Sequence, residues 1–535
     1  MISNRNKKFW SKGNLLVDNL VWLFWAVAFA MAFPTYNLSF TVWFAFIPVL
    51  VFACIRPVST TVKYAFFYSM LHTFLSIFWI FGFWWGGLFF MAVIYALYYS
   101  LFFFAIAVVS KRLKELRWII TPMLWVGLEL IRSVGYHAFE WNLVGHSQWN
   151  HPLLIQSADL LGVWGITFLV LLVNSVAAEV IVQTVEKKFF QKAIMENLSK
   201  IVTVALLVLA NLVYGVIQLR HYDKVSADSP KERLALIQPN IDSHEDWWKK
   251  HWEIYGILWK LNAEAAVQHP DMIVWSETMV RNYVWYYLER WSPEEDVCRF
   301  NQRFVDMPAE FDTPIFFTSP TTPDGVHNYN TGEYLDPRGG PRQGNAKIHL
   351  VPFGEWMPVY DTWPLFKDVM KYYGAGAYTP STNFEVIQGR NSRFRMLVCY
   401  EDAFAGLARI FIRKGVNYYI NSTNDGWAEA FGFRHPLWQH LSCAVLTAVS
   451  VRRPIARAAN TGYTGIVDLT GRYKGNVADY GRGVYVDDVS VIPEDIVTFY
   501  TDYGYMFPYA VFLIAFGAFL FAVFFRKEEL EEKKR

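Results

Sequence analysis

Apolar residues along this chain come in blocks. Uncharged or nearly uncharged runs fall at about residues 15–33, 38–55, 64–81, 87–109, 118–135, 160–182, 201–219 and 505–525. Each approaches the ~20 residues a helix needs to cross the hydrocarbon of a bilayer. The pattern predicts eight membrane spans, seven within residues 1–220 and the eighth in 505–535, followed by a charged tail. From 221 to 504 charge, proline and glycine return, and no run is long enough to span. Short β-prone stretches bounded by turn residues appear there, at 234–238, 272–275, 315–318, 394–400, 416–420, 455–459, 465–469 and 484–489. Helical patterns intervene, notably at 246–268 and 436–451. Strands alternating with helices predict layered sheets covered by helices. A stretch of about 280 residues can bury such a core unaided. Residues 356–392 are rich in Tyr, Pro and Gly and lack a period, which reads as a functional lid.

Charge orients the spans, because Lys and Arg gather in cytoplasmic loops. Arg5, Lys7, Lys8 and Lys12 precede the first run, and Arg56 and Lys63 follow the second. Lys111, Arg112, Lys114 and Arg117 follow the fourth, and Lys187, Lys188, Lys192 and Lys200 the sixth. Arg526 and Lys527 follow the last, whereas the loops at 34–37, 82–86 and 136–159 carry no Lys or Arg. The alternation predicts both termini in the cytoplasm and residues 221–504 outside. The first run has a second reading as a cleaved signal peptide, with a basic start and Ala28-Phe29-Ala30 near its end. Asp18 and Asn19 interrupt its apolar part, and losing it would spoil the alternation, so we read it as a span. Glu129 and Arg132 lie one turn apart in the fifth run. They read as a functional intramembrane pair or as mutually neutralising structural ions, and we take the second reading.

Composition sharpens this division. Of 535 residues, 54% are hydrophobic and 18% aromatic, with 23 Trp, 30 Tyr and 44 Phe. That excludes a disordered or collagen-like chain, and so many rings suit bilayer cores and interfacial belts. Mean hydropathy is nevertheless only +0.18, as a large water-soluble domain diluting apolar spans would give. A net charge of +2 is no nucleic-acid footprint. There is no Walker A loop, and Gly374-Ala375-Gly376 lacks the third glycine of a dinucleotide fingerprint. Gly145-His146-Ser147-Gln148-Trp149 fails as a nucleophile elbow at its last position. Neither His-Glu-x-x-His nor Cys-x-x-Cys occurs, so no metal or cofactor is expected.

Four cysteines remain. Cys54 lies in a span and reads as a small apolar residue; Cys443 falls in a helix and reads as core. Cys298 and Cys443 form a disulfide only in an oxidising compartment. Cys399 ends the apolar stretch Met396-Leu397-Val398 and precedes Tyr400-Glu401-Asp402 and a helix. It reads as a buried structural thiol, or as a nucleophile lifted above a strand end with a helix N-terminus to steady the thiolate. Two further segments weigh on that choice. Ile273-Val274-Trp275-Ser276-Glu277 is a strand running straight into an acid, and Lys347 opens Lys347-Ile348-His349-Leu350-Val351-Pro352-Phe353-Gly354-Glu355.

With Glu277, Lys347 and Cys399 in that chain order, the sequence resembles the nitrilase superfamily, whose triad is Glu-Lys-Cys on an α-β-β-α sandwich. Within it the chain resembles the apolipoprotein N-acyltransferase family over nearly its whole length. The resemblance rests on Lys-x-His-Leu-Val-Pro-Phe-Gly-Glu at 347–355, Cys-Tyr-Glu at 399–401, Asn-Asp-x-Trp at 424–427 and Arg-Pro-Ile-Ala-Arg-Ala-Ala-Asn-Thr-Gly at 453–462. Trp-Val-Gly-Leu-Glu-Leu-Ile-Arg-Ser at 125–133 and Trp-Asn-Leu-Val-Gly-His-Ser-Gln at 141–148 extend it into the membrane part. Three positions depart from the family pattern: Ser276 for Pro, Asn345 for Tyr and Glu140 for Pro. They put loop shape in doubt and leave the reacting groups in place.

The resemblance implies a multi-pass membrane bundle of eight spans with an external α/β nitrilase-like sandwich domain at 221–504. It implies a bacterial inner-membrane enzyme with that domain in the periplasm. Its expected partners are a phospholipid acyl donor, a diacylated lipoprotein acceptor and the lipid bilayer; the net charge argues against nucleic acid, and we take a monomer as the default. The implied reaction moves a fatty acyl chain to the α-amino group of a diacylglyceryl-cysteine, as the last step of lipoprotein maturation. Glu277 is then the general base, Lys347 the oxyanion cation and Cys399 the nucleophile of a two-step thioester pathway. Glu355, Tyr400 and Glu401 support them, and Trp247 engages substrate or packs the core. The rival readings are a membrane-tethered amidase sharing the same triad, and a non-enzymatic membrane protein. Few ionisable groups in the spans count against the latter.

Overall fold

The computed structural model describes residues 14–532, except 35, 83–84, 136–137, 188, 244–245, 353, 357–377, 429–434 and 479. The chain divides into two units: Met1–Leu219 with Ala430–Ser442 and Tyr503–Arg535, and Arg220–Glu429 with Cys443–Asp502.

The first unit is helical. Its apolar helices are α1 (Leu15–Met31), α2 (Val42–Ala45), α3 (Ile47–Ile55), α4 (Val58–Ile77), α5 (Trp85–Arg112), α6 (Arg117–Ser133), α7 (Val163–Lys187), α8 (Leu198–Asp228) and α14 (Met506–Glu532). Among the described residues, five stretches are long and apolar enough to cross a membrane: Val58–Gly82, Gly86–Arg112, Val163–Lys187, Leu198–Asp228 and Met506–Phe524. The other three expected spans are helical but shorter. α1 and α6 have 17 residues each, and 39–55 is broken into pieces with Pro48 at the start of α3. At ~1.5 Å per residue, 17 residues reach only about 25 Å.

Aromatic rings fill this unit's core. Trp25 and Phe29 of α1 meet Phe46, His72, Tyr99 and Trp125, with Phe29 stacked on His72 at 4.3 Å and Trp125 edge-on to Phe46 at 4.7 Å. Buried ions are paired: Asp18 accepts from Arg56 at 2.6 Å, and Glu179 from Arg117 at 2.5 and 3.0 Å. Glu129 and Arg132 lie close enough for their charges to interact, but among the described residues they form no direct ion pair, and each binds other groups. The Glu129 carboxylate accepts from Trp125 Nε1, Val144 N and Thr167 Oγ1 at 2.7–2.9 Å. Arg132 donates instead to Tyr95 Oη and the Trp141 carbonyl, both at 2.8 Å. Spacing along α6 puts both on one side, but the returning 138–149 loop offers each a closer partner.

The second unit holds two six-stranded sheets. One runs β12 (Gly483–Ser490), β1 (Lys231–Gln238), β2 (Met272–Val274), β3 (Ile315–Thr321), β4 (Tyr329–Leu335) and β5 (Gln343–Ala346). The other runs β11 (Tyr473–Lys474), β10 (Gly465–Val467), β9 (Ile455–Ala459), β8 (Tyr418–Thr423), β7 (Arg393–Val398) and β6 (Ile387–Gln388). Each has three parallel strands, β1-β2-β3 and β7-β8-β9, with antiparallel strands at the edges. The sheets meet face to face at Phe316, Gly332, Phe394 and Met396. Outside the first sheet, α9 (Trp247–Ala266) and α11 (Asp296–Glu310) pack Ile254, Leu258, Phe300 and Phe304 onto Ala235, Ile237, Ile273 and Phe317. Residues at 235 and 237 face these helices because side chains alternate along a strand. On the second sheet, α12 (Ala405–Ile412) sets Phe411 under the Arg395 guanidinium, and Tyr419 donates to its Ala408 carbonyl at 2.6 Å. The result is an α-β-β-α sandwich.

Two strand expectations change. The 394–400 stretch stops pairing at Val398, and Cys399 and Tyr400 enter a 3₁₀ turn, Cys399–Ala403. Strands β4 and β5 were not expected, because Tyr-Asn-Thr-Gly-Glu-Tyr-Leu and Gln-Gly-Asn-Ala lack apolar alternation. Of the expected lid at 356–392, residues 357–377 lie outside the described residues.

Candidate active site

Three chain segments leave strand ends and meet. Beyond β2, Trp275 prolongs the pairing through its N–H to Phe316 O at 2.9 Å, and its indole donates to Asn262 Oδ1 at 3.2 Å. The chain then turns sharply: Thr278 is left-handed at φ +63°, with its N–H on Thr318 Oγ1 at 3.1 Å. This turn leaves Glu277 buried. Lys347 follows β5, held by its own N–H to the Asn330 carbonyl at 2.8 Å, and is 1% exposed. Cys399 follows β7 at φ +47°, a conformation that costs a non-glycine residue about 1–3 kcal/mol.

Hydrogen bonds uphold that strained turn. Asn421, on neighbouring β8, donates from one amide to the carbonyls of Leu397 and Cys399 at 2.7 and 2.8 Å. Glu401 accepts from Val398 N at 2.8 Å with one oxygen, and from Ile348 N and His349 N at 2.7 and 2.9 Å with the other. Glu401 thus ties the nucleophile's turn to the lysine's loop. Tyr400 packs on Phe404 at 4.9 Å, and Phe404 on His349 at 4.1 Å, closing the same junction with rings.

Lys347, Glu277, Glu355 and Cys399 form one electrostatic group. Lys347 Nζ lies 2.9 and 2.8 Å from the two oxygens of Glu355. The Cys399 thiol hydrogen-bonds the Glu277 carboxylate. Burial pushes the Glu277 pKa up, the Lys347 charge opposes this, and the Glu355 charge adds to it. Burial and the Glu277 and Asp425 charges push the Cys399 thiol well above its usual range, against Lys347 and a hydrogen bond from Thr423. Burial alone would lower Lys347, but Glu355, Glu277 and Cys399 outweigh it and keep it charged. A carboxylate of raised basicity can take the thiol proton, and a cation fixed beside both can stabilise an oxyanion.

Other residues enter that sequence reasoning missed. Asn330 donates to Glu277 Oε1 at 2.8 Å and reaches Glu355 Oε1 at 3.5 Å, bridging the two acids. Burial, then Glu355 and Glu277, push the Tyr378 phenol up, which puts it in their electrostatic reach. Trp247 is buried in the core, edge-on to Phe300 at 5.8 Å. Its indole donates to the Met279 carbonyl at 3.1 Å, and that loop is its link to Glu277. The departures from the family pattern take distinct places. Asn345 bridges the sheets through Met396 at 3.3 and 3.4 Å. Glu140, in the first unit, accepts from Tyr505 Oη at 3.0 Å. The buried Ser276 hydroxyl has no hydrogen-bond partner among the described residues.

The second unit has the nitrilase-like carbon-nitrogen hydrolase fold. Residues 233–491 match the family model described as carbon-nitrogen hydrolase, and residues 25–176 match that of the apolipoprotein N-acyltransferase N-terminal domain. Apolipoprotein N-acyltransferase of Geobacter metallireducens is 30% identical, over 77% of this chain and 75% of its own. Apolipoprotein N-acyltransferase 1 of Treponema denticola is 26% identical over 90% and 92%. Among solved structures, Nit3 of Saccharomyces cerevisiae, of the nitrilase superfamily, aligns at 17% identity with a TM-score of 0.35, over 49% of this chain and 92% of its own. The chain belongs to the apolipoprotein N-acyltransferase family.

Proposed function

We propose that this enzyme transfers a fatty acyl chain from a phospholipid to the free α-amino group of the N-terminal diacylglyceryl-cysteine of lipoproteins. Glu277 takes the thiol proton, and Cys399 sulfur attacks the ester carbonyl. The oxyanion that forms is met by Lys347. It collapses to a Cys399 thioester, and the lysophospholipid leaves with the proton from Glu277. The lipoprotein amine then attacks the thioester, loses a proton to Glu277, and expels the thiol as the amide forms. The observation that carries this reading is the buried meeting of Glu277, Lys347 and Cys399 in a member of this family. Glu355, Asn330, Tyr400 and Glu401 hold the reacting groups in register. Trp247 shapes the loop beyond Glu277 and so the approach of substrate.

The setting we propose is the bacterial inner membrane, crossed by eight spans. Both termini are cytoplasmic, and 221–504 forms a periplasmic domain between the seventh and eighth spans. The five long apolar helices and the alternating Lys and Arg support it. Apolar surroundings that keep water off the thioester favour transfer over hydrolysis.

Labelled phospholipid mixed with the pure enzyme should leave a hydroxylamine-sensitive label on Cys399. Adding a diacylated lipopeptide should move the label to its N-terminus, read by mass. A label that survives Cys399→Ser, or an acyl chain released only to water, overturns the reading.

A further inference from the structure

The pathway above leaves one side chain beside the triad unused. Tyr378 heads a stretch of chain that the backbone staples to the site. Its own N–H donates to the Glu355 carbonyl at 3.0 Å, the Thr379 N–H to the Asn328 carbonyl at 2.7 Å, and the Ser381 N–H to the Lys347 carbonyl at 2.9 Å. Tyr378 therefore leaves the backbone against the Glu355 end of the lysine's loop. Its side chain is half-buried. The phenol lies within electrostatic reach of Glu355 and Glu277 and, more weakly, of Lys347. Among the described residues its hydroxyl makes no hydrogen bond, so the fold does not consume that group.

Hydrogen-bonding capacity gives the hydroxyl a use. An α-amino group with a pKa near ~8 arrives mainly as an ammonium, which only donates and must be held by acceptors. Lys347 offers none. Both Glu355 oxygens are engaged by Lys347, and one also by the Val351 N–H. Glu277 keeps Asn330 on Oε1, but the bond from the Cys399 thiol is gone once the thioester has formed. Of these four side chains, Glu277 and Tyr378 have an acceptor to offer an incoming amine. Burial first, then Glu355 and Glu277, keep the phenol protonated and neutral. The charges agree with this use. With the thiol proton carried off by the lysophospholipid, Glu277 and Glu355 are both negative against the single positive charge of Lys347, which favours a cation beside them. The first substrate makes the opposite demand: an ester carbonyl only accepts, and Lys347 is its donor. Tyr378 therefore serves the second half-reaction.

We propose that Tyr378 binds the acceptor, its hydroxyl oxygen accepting from the α-ammonium of the lipoprotein and setting that group beside Glu277. The inference rests on the Glu277–Lys347–Cys399 reading and adds to it a residue that separates the two substrates.

The test measures the two half-reactions apart in the full-length enzyme. Labelled phospholipid alone reads thioester formation, and a diacylated lipopeptide or hydroxylamine added to the preformed thioester reads its consumption. Tyr378→Phe removes one oxygen and keeps the ring. It should leave thioester formation within about twofold of the wild type and slow consumption by the lipopeptide roughly tenfold, as the loss of one hydrogen bond to a charged group does. The loss should show as a higher lipopeptide concentration for half-maximal rate. Hydroxylamine, which is small and uncharged at neutral pH, should consume the wild-type and variant thioesters alike. Unchanged consumption by the lipopeptide overturns the proposal. So does a comparable loss in thioester formation or in the hydroxylamine reaction, which would mark the hydroxyl as part of the fold or of the general chemistry. Cys399→Ser is run beside them. Label persisting there, or a wild-type thioester that the lipopeptide leaves untouched, sinks the acyl-transfer reading itself. A lipopeptide that consumes the wild-type and Tyr378→Phe thioesters equally well sinks this inference alone.

Discussion

Lys347 and Glu355 form a closed pair, with the lysine nitrogen 2.9 and 2.8 Å from the two carboxylate oxygens. Glu355 is more than a counter-ion, because its Oε2 also accepts from Val351 N at 2.8 Å and so folds the 347–355 loop back on the lysine. Removing one partner of such a pair leaves an uncompensated charge and costs about 3–5 kcal/mol. Lys347→Met should lower thermal stability accordingly and cut acyl-enzyme formation by roughly 10²–10³ through loss of the oxyanion cation. Lys347→Met with Glu355→Gln should recover much of the stability and none of the rate. A double variant that regains acylation would exclude Lys347 as that cation.

The pH profile offers a second check, with its sign set by the charges around Glu277. Glu277 works ionised, so acylation rises as pH passes its pKa, and burial moves that limb upward from the ordinary carboxylate range. Glu355 pushes in the same direction, and Lys347 pushes against it. Glu355→Gln should therefore shift the acid limb to lower pH, and Lys347→Met to higher pH. The limb belongs to the coupled assembly of Glu277, Lys347 and Cys399. An acid limb that moves the same way in both variants would contradict the electrostatics described for this site.

These groups differ in how far the sequence betrays them. Glu277 drew attention because an apolar strand runs straight into it, and Cys399 because it sits between the buried strand β7 and a helix, but neither signal alone marks a reacting group; the family segments joined them into one candidate site. Lys347 needed the family segment around it, since a lone lysine after the polar strand β5 has no periodic signal. Asn330 escaped because β4 is polar where it lines the site, so its alternation is hidden. In the first unit the apolar blocks marked the helices, while their lengths followed prolines and helix ends that hydropathy does not resolve. The separate partners of Glu129 and Arg132 depended on a loop whose path no local pattern describes.

The contact between the two sheets yields a stability prediction free of the chemistry. Gly332 in β4 has Phe316 Cζ 2.5 Å from where a β-carbon would sit, with the Met396 sulfur also in the way. Met396 can swing aside, but the Phe316 ring is fixed against Phe394 at 5.8 Å. Gly332→Ala should destabilise the domain by about 1–3 kcal/mol through overpacking. Thermal unfolding reads this directly, and acylation at a temperature where the variant stays folded should be near that of the wild type. A variant as stable as the parent would show that the sheets are less tightly apposed than the structure has them.

Asn330 supplies the most specific prediction for the base. Its amide donates to Glu277 Oε1 at 2.8 Å, a bond that favours the ionised carboxylate. Asn330→Ala removes that donor and leaves a buried acceptor, worth about 1–3 kcal/mol. The acid limb should move to higher pH, and acylation near neutrality should fall by roughly tenfold or more, since about 1.4 kcal/mol is a factor of ten. Asn330→Asp should shift the limb further the same way, because it sets a third carboxylate beside Glu277 and Glu355. The second half-reaction uses the same base, so aminolysis of a preformed Cys399 thioester should show the same displacement. If acylation shifts and aminolysis does not, a group other than Glu277 takes the proton from the amine.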